Sequence, residues 1–144
     1  MLASFREARA PSPHVQARVE EVRVYLEANL THDVDMASVA RQVALSPFYL
    51  TRIFKAQYGV PPYRYLIRLR IKYATELLRD SVLSVTQICH RAGFNSLSHF
   101  ITTFRHHVGV SPTHYRRMVD WQRDIGRFGP RTEAILKQPR RRDA

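Results

Sequence analysis

The side chains of this chain that could do chemistry are mostly cations, and they are clustered. Residues 46–117 hold eleven Lys and Arg against two acids, Glu76 and Asp80. Guanidinium and ammonium groups at this density bind anions, and a polyanion is the partner such a stretch fits. The flanks differ, with five Arg against six acids in residues 1–45 and seven bases against four acids in 118–144. A merely solvated basic surface would intersperse Glu and Asp throughout for solubility. The net charge of +11 over 144 residues is therefore mostly that of the middle segment.

Other chemistries have weaker material. A single cysteine, Cys89, excludes an intramolecular disulfide framework and a Cys-based zinc site. His99 and His106 stand two helical turns apart, with His107 and His114 beyond, but no Cys or carboxylate adjoins them. No metal and no cofactor are expected. There is no Gly-rich phosphate loop, and Cys89 sits on an apolar helix face, where packing is the expected role. The chain reads as a non-enzyme. The first residues form no apolar signal segment, and no uncharged stretch approaches the roughly 18 residues of a membrane span. The expectation is a cytoplasmic protein of a reducing compartment, with no membrane partner.

The elements that must position these side chains are helices. After an arm over residues 1–12, Ser12-Pro13 reads as an N-cap with proline at the first helical position. Val15, Val19, Val22 and Leu26 then form one apolar stripe. Asp35 caps a second helix carrying Val39, Ala40 and Val43. Ser46-Pro47 opens a third, with Leu50, Ile53 and Phe54 inward and Gly59 at its end. A longer helix follows Pro61-Pro62, burying Leu66, Ile67, Ile71, Ala74, Leu77 and Leu78 and showing Arg64, Arg68 and Lys72 outward. Ser84-Val85-Thr86-Gln87 is a capping box ahead of a short helix with Ile88 and Ala92. Ser96 starts another helix, with Phe100 and Phe104, that stops at Gly109. No segment alternates like a strand, so the fold class is all-α.

Part of this pattern occurs twice. Ser46, Phe54, Lys55, Gly59, Val60, Pro62 and Tyr65 recur 50 residues on as Ser96, Phe104, Arg105, Gly109, Val110, Pro112 and Tyr115. Val39, Ala40, Val43 and Ala44 recur 49 residues on as Ile88, Cys89, Ala92 and Gly93, so the second turn holds one extra residue. Each copy is a short helix, a tight turn and a second helix, the organisation of a helix-turn-helix. The expected division is a first such subdomain over 13–60, a connecting helix over 61–80 and a second subdomain over 81–117. A tail over 118–144 would hold a further short helix, where Trp121, Ile125 and Phe128 step by 4 and 3, and then a disordered Arg140-Arg141-Arg142 end.

The run Ile88-Cys89, Ala92-Gly93-Phe94-Asn95-Ser96-Leu97-Ser98-His99-Phe100, Phe104-Arg105, Gly109-Val110-Ser111-Pro112 and Tyr115-Arg116 resembles the signature of AraC/XylS-type bacterial transcriptional regulators. Ser46 to Gly59 matches the looser pattern of that family's first unit, and Arg70-Ile71, Ala74 and Leu77-Leu78 match its connecting helix. The resemblance covers roughly residues 15–117. It implies two helix-turn-helix subdomains of homeodomain-like, three-helix form, whose second helices enter successive major-groove segments of double-stranded DNA. It also implies activation through RNA polymerase. Family members usually add a sensor or dimerisation domain, so the chain is expected to be a stand-alone member binding DNA as a monomer, or a piece of a larger dimeric regulator.

Geometry is compatible with that expectation. A connecting helix from Tyr63 to Leu78 spans roughly 24 Å at 1.5 Å per residue, and with a subdomain at each end the recognition helices could approach the ~34 Å of one DNA turn. On the first helix, over 46–58, Phe48, Thr51 and Arg52 are the base-reading candidates. Arg52 can donate bidentately to guanine or, alternatively, hold a phosphate. Phe48 either meets a thymine methyl or belongs partly to the core. On the second, over 96–108, the outward set is Leu97, Ser98, His99, Thr102 and Thr103, with Ser98, His99 and Thr102 as base readers. Thr102 departs from the family, where arginine is common, so weaker discrimination is expected from this half. His99 is either a reader or a solvent-exposed histidine. Phosphate contacts are expected from Ser46, Lys55, Arg64, Arg68, Ser96, Arg105 and Arg116. The competing function is a non-specific architectural DNA- or RNA-binding protein, which would bind unrelated duplexes with nearly flat affinity.

Overall fold

In a computed structural model of the protein, residues 10–128 are described, and they form seven α-helices with no strand among them. The order is α1 (Pro13–Ala28), α2 (Met36–Gln42), α3 (Pro47–Tyr58), α4 (Pro62–Asp80), α5 (Val85–Arg91), α6 (Leu97–Val108) and α7 (Pro112–Phe128). The chain divides into two compact units, with the boundary inside α4 between Lys72 and Tyr73. No described helix is long and apolar enough to cross a membrane.

Caps fix where the helices begin. The side chains of Ser12, Asp35, Ser46, Ser84 and Ser96 each accept a backbone N–H of the first turn that no carbonyl of the helix can reach. Ser84 and Gln87 form the reciprocal capping box. α3 and α6 both end on a glycine in the left-handed region, Gly59 at φ 85° and Gly109 at φ 91°. A Cβ at either would meet nothing within 4 Å, so backbone conformation alone selects glycine there.

The first unit closes around Val19, Val22 and Leu26 of α1, Val39 and Ala40 of α2, Leu50, Ile53 and Phe54 of α3, and Leu66 of α4. In the second, Ile88, Cys89, Ala92, Phe94, Phe100 and Phe104 are buried. At about 1.5–3 kcal/mol for each large side chain removed from water, such sets outweigh any helix propensity. Cys89 is fully buried, its thiol against the Phe94 carbonyl at 3.9 Å, and burial pushes its pKa up.

The end of the chain differs from the sequence expectation. The stripe at Trp121 and Ile125 is no separate short helix but the continuation of α7, which has no proline after Pro112 to interrupt it. The arm over residues 1–9 and the Arg140-Arg141-Arg142 segment lie outside the described residues.

Candidate nucleic-acid interface

Each unit presents one helix through a tight turn held by the same backbone bonds. The Leu45 N–H donates to the Ala40 carbonyl at 3.0 Å, and the Phe94 N–H donates to the Cys89 carbonyl at 3.0 Å. The residue before each donor is left-handed, Ala44 at φ 54° and Gly93 at φ 90°. The extra residue, Asn95, lies after this shared turn. It lets the second helix start one position later from its cap, Ser96.

On α3 the outward set is placed much as its periodicity requires. Leu50, Ile53 and Phe54 are buried, leaving Phe48, Thr51, Arg52 and Lys55 exposed. Phe48 is 79% exposed, which takes it out of the core and onto the surface of the first helical turn. The Thr51 hydroxyl donates to the Pro47 carbonyl at 2.8 Å, so its hydrogen is engaged. Ser46 is an exposed cap whose oxygen accepts the Tyr49 N–H at 3.2 Å.

On α6, Ser98, His99, Thr102 and Arg105 are exposed, and the Ser96 hydroxyl accepts the His99 N–H at 3.2 Å. The His99 ring stands edge-on to Phe94 at 5.7 Å, so one of its sides is fixed by packing. Thr103, expected outward, is half-buried because it occupies the position of the buried Ile53 in the repeat. Sequence reasoning missed Ile101, 37% exposed beside Leu97 at 38%. Its signal was available, since Ile101 lies 50 residues after the outward Thr51. An apolar group there offers contact to a thymine methyl rather than a hydrogen bond.

The cations divide into two kinds. Arg64 and Arg68 are exposed one turn apart on α4. Arg70 and Arg116 are instead turned into their own units. Arg70, 8% exposed, donates from Nε to the Leu30 carbonyl at 2.7 Å and from Nη2 to the His32 carbonyl at 2.8 Å. Burial lowers its pKa. Arg116 donates to the carbonyls of Leu78 at 3.3 Å, Leu83 at 2.5 Å and Ser81 at 3.3 Å. The expectation for Arg116 was a phosphate contact; its guanidinium here fastens the link between α4 and α5, whose carbonyls lack helical partners.

Behind α3, a charged network joins three helices. Arg23 of α1 lies between Glu20 and Glu27, donating to Glu27 at 2.7 Å, while the Tyr58 hydroxyl donates to Glu20 and the Tyr65 hydroxyl to Glu27 at 2.7 Å. Hydrogen bonds from Arg23 and then Tyr58 hold the Glu20 carboxyl down at about 2. The bond from Tyr65, then Arg23, lowers Glu27. Burial and the facing carboxylates raise both tyrosines.

Two units of short helix, tight turn and capped outward helix define a helix-turn-helix class of protein. A family model described as a helix-turn-helix domain matches residues 39–118. The HTH-type transcriptional activator RhaS of Escherichia coli is 42% identical over 101 residues, 70% of this chain and 36% of its own length. The DNA-binding domain of AdpA, a global transcriptional factor solved in complex with a target DNA, superposes with a TM-score of 0.71 at 29% identity, covering 74% of this chain and 96% of that one. A transcriptional regulator of the AraC-type DNA-binding group from Chromobacterium violaceum gives a TM-score of 0.66 at 31% identity, covering 73% and 94%. The chain belongs to the AraC/XylS family of helix-turn-helix DNA-binding domains. It spans somewhat over a third of the length of the curated relatives it matches, 36% of RhaS and 38% of the regulatory protein PocR of Salmonella typhimurium.

Proposed function

We propose that this chain binds double-stranded DNA in a sequence-specific way and regulates transcription, with α3 and α6 reading two successive major-groove segments. The observation that carries the reading is the duplicated outward helix. Each copy is pinned by a serine cap and a left-handed glycine, and each exposes a row of side chains over its first two turns, Phe48, Thr51 and Arg52 on α3 and Ser98, His99, Ile101 and Thr102 on α6. An α-helix so presented has the width of the B-DNA major groove, where all four base pairs are distinguishable.

In this reading Arg52 donates to a guanine, Phe48 and Thr51 meet thymine methyls, and Ser98, His99 and Thr102 make the shorter contacts of the second half. Ser46, Ser96, Lys55, Arg64, Arg68 and Arg105 hold phosphates, setting register without reading sequence. With the four cations of that set neutralising about four phosphates, log K falls against log salt with a slope of roughly −3 to −4. One chain carries both reading helices and so suffices for one asymmetric site. RhaS is an activator, and activation through RNA polymerase is the corresponding proposal for this chain.

Selection of bound sequences from a random duplex pool tests the proposal. The expected result is one two-part motif, preferred over unrelated duplex by about 10³-fold or more. A flat affinity across the pool would instead identify an architectural binder.

A further inference from the structure

α7 carries a face that the other described residues of its unit leave largely exposed. Arg116 and Arg123, seven residues apart, lie on one side and fasten the helix back. Arg116 donates to the carbonyls around the α4–α5 link, and Arg123 donates to the Arg79 carbonyl and pairs with Asp80 at 3.5 Å. Met118, Trp121 and Ile125 fall roughly 140° to 200° round the helix from that side at 3.6 residues per turn. Met118 is 43% exposed and Trp121 47% exposed, with Ile125 half-buried. Trp121 is the chain's one tryptophan. A tryptophan and a methionine turned to water directly opposite a docked face are a seam rather than scattered surface apolar residues.

The spacing of this seam says what covers it. Residues 118, 121 and 125 step by three and four, the a/d pattern of a helix pair, and the docked arginines then hold the f position farthest from the seam. Flanking the seam on one edge, both at g, are Arg117 and Asp124, each exposed. In an antiparallel pair of identical helices the g edges face one another. Arg117 of one copy then meets the second copy's Asp124, and the two-fold axis repeats the pair. A parallel pair places each g edge against the e edge instead, where Gln122 stands, and gains no ion pair.

We infer that α7 is a homodimerisation helix, pairing antiparallel with α7 of a second copy through Met118, Trp121 and Ile125. Three seam side chains per copy are far fewer than the roughly 20–30 residues a side of a standard interface, so the dimer is weak, with a dissociation constant of about 10–300 µM. It forms where the protein is concentrated, such as two copies on adjacent DNA sites.

The test is sedimentation equilibrium of the full chain without DNA, followed alongside by Trp121 fluorescence. A monomer–dimer equilibrium is expected, with Trp121 emission shifting to the blue as the dimer forms. Trp121→Glu should abolish it. Asp124→Arg should weaken it about tenfold through like-charge contact with Arg117, and Arg117→Asp combined with Asp124→Arg should restore it to within about threefold. The double exchange guards against misfolding, because a variant that merely unfolds cannot be rescued by a second surface charge. A chain still monomeric at about 0.5 mM, above the range set by the small seam, overturns the inference. So does a dimer whose Trp121 emission does not move, or a double exchange that stays as weak as its parents. No outcome touches DNA reading, which the duplex selection tests separately.

Discussion

The two units share a frame and diverge in what they hang on it. Phe54 meets Tyr65 edge-on at 5.4 Å and 74° in the first, and Phe104 meets Tyr115 at 5.8 Å and 73° in the second. The caps, turn bonds and terminal glycines correspond equally well. The outward chemistry does not: Arg52 faces Thr102 across the repeat, Phe48 faces Ser98 and Thr51 faces Ile101. Where a cap, a turn bond or a terminal glycine fixes the frame, both units have kept the same solution. Where a side chain meets only solvent or ligand, they have separated, which is the behaviour of one scaffold carrying two different readings.

The fastenings behind the frame separate too, and they offer the largest test. Arg70 and Arg116 do the same work, donating to carbonyls of the link between the first two helices of a unit, yet they are 46 residues apart rather than 50. The offset is about one helical turn, so the sequence repeat does not align them. Replacing either by methionine should destabilise its unit by about 2–3 kcal/mol in urea unfolding, since the carbonyls lose a charged donor. If Arg116→Met leaves unfolding unchanged and lowers DNA affinity instead, Arg116 is a phosphate contact after all and the correspondence with Arg70 breaks.

The next effect concerns the division of reading between α3 and α6. Arg52→Ala should cost about 1–3 kcal/mol of binding and relax preference at a single base pair. Thr102→Ala should cost under about 1 kcal/mol, because one hydroxyl loses at most a single neutral hydrogen bond. Arg105→Ala should weaken every sequence alike and reduce the salt slope by about 1. Competition binding against a library of single-base variants measures all three. Equal, sequence-independent losses from Arg52 and Arg105 would leave the first unit with no reading advantage.

A smaller effect tests the turn itself. Ala44 and Gly93 occupy one left-handed position, which glycine adopts freely because it has no Cβ and alanine adopts only with its Cβ crowded. Ala44→Gly should stabilise the first unit by about 0.5 kcal/mol, the relief of strain exceeding the added freedom of the unfolded chain. Gly93→Ala should destabilise the second by about 1 kcal/mol. Thermal melts of the two variants, read with opposite signs, would confirm that the turns are equivalent despite the extra Asn95.

Much of this architecture was legible in the sequence because it rests on local rules. The serine and aspartate caps, the capping box and the 50-residue displacement each need only a few neighbouring residues to be recognised. Arg70, Arg116 and the exposed face of α7 were not legible. Whether an arginine turns inward depends on carbonyls 33 to 40 residues away, which no local pattern records. Likewise, the stripe at Trp121 and Ile125 predicts a helix with an apolar face but cannot tell which face its unit takes up. Arg123 decides that by fastening the opposite side.

The smallest expected effect separates the units by pH. Glu20, Glu27 and Asp35, all in the first unit, have carboxyls held below their usual values, Glu20 at about 2 through Arg23 and Tyr58. Aligning the buried stripe Val19, Val22 and Leu26 of α1 with Ile71, Ala74 and Leu78 of α4, a displacement of 52, puts Lys72 and Arg79 at the positions of Glu20 and Glu27, so α4 carries no counterpart of those two carboxylates. A carboxyl depressed in the folded state contributes stability in full above its unfolded value, about 4.5 for these glutamates, and loses it as pH falls toward the folded value. These groups reach solvent, so the contribution is screened and small. Amide exchange should therefore show Leu26 losing protection earlier than Phe104 as pH falls from about 4.5 to about 2, the window between the unfolded and folded values of Glu20. Glu20→Gln should flatten that acid limb in the first unit and leave the second as it was. If both amides lose protection together in the wild type, the network does not distinguish the units and the two halves share one acid response.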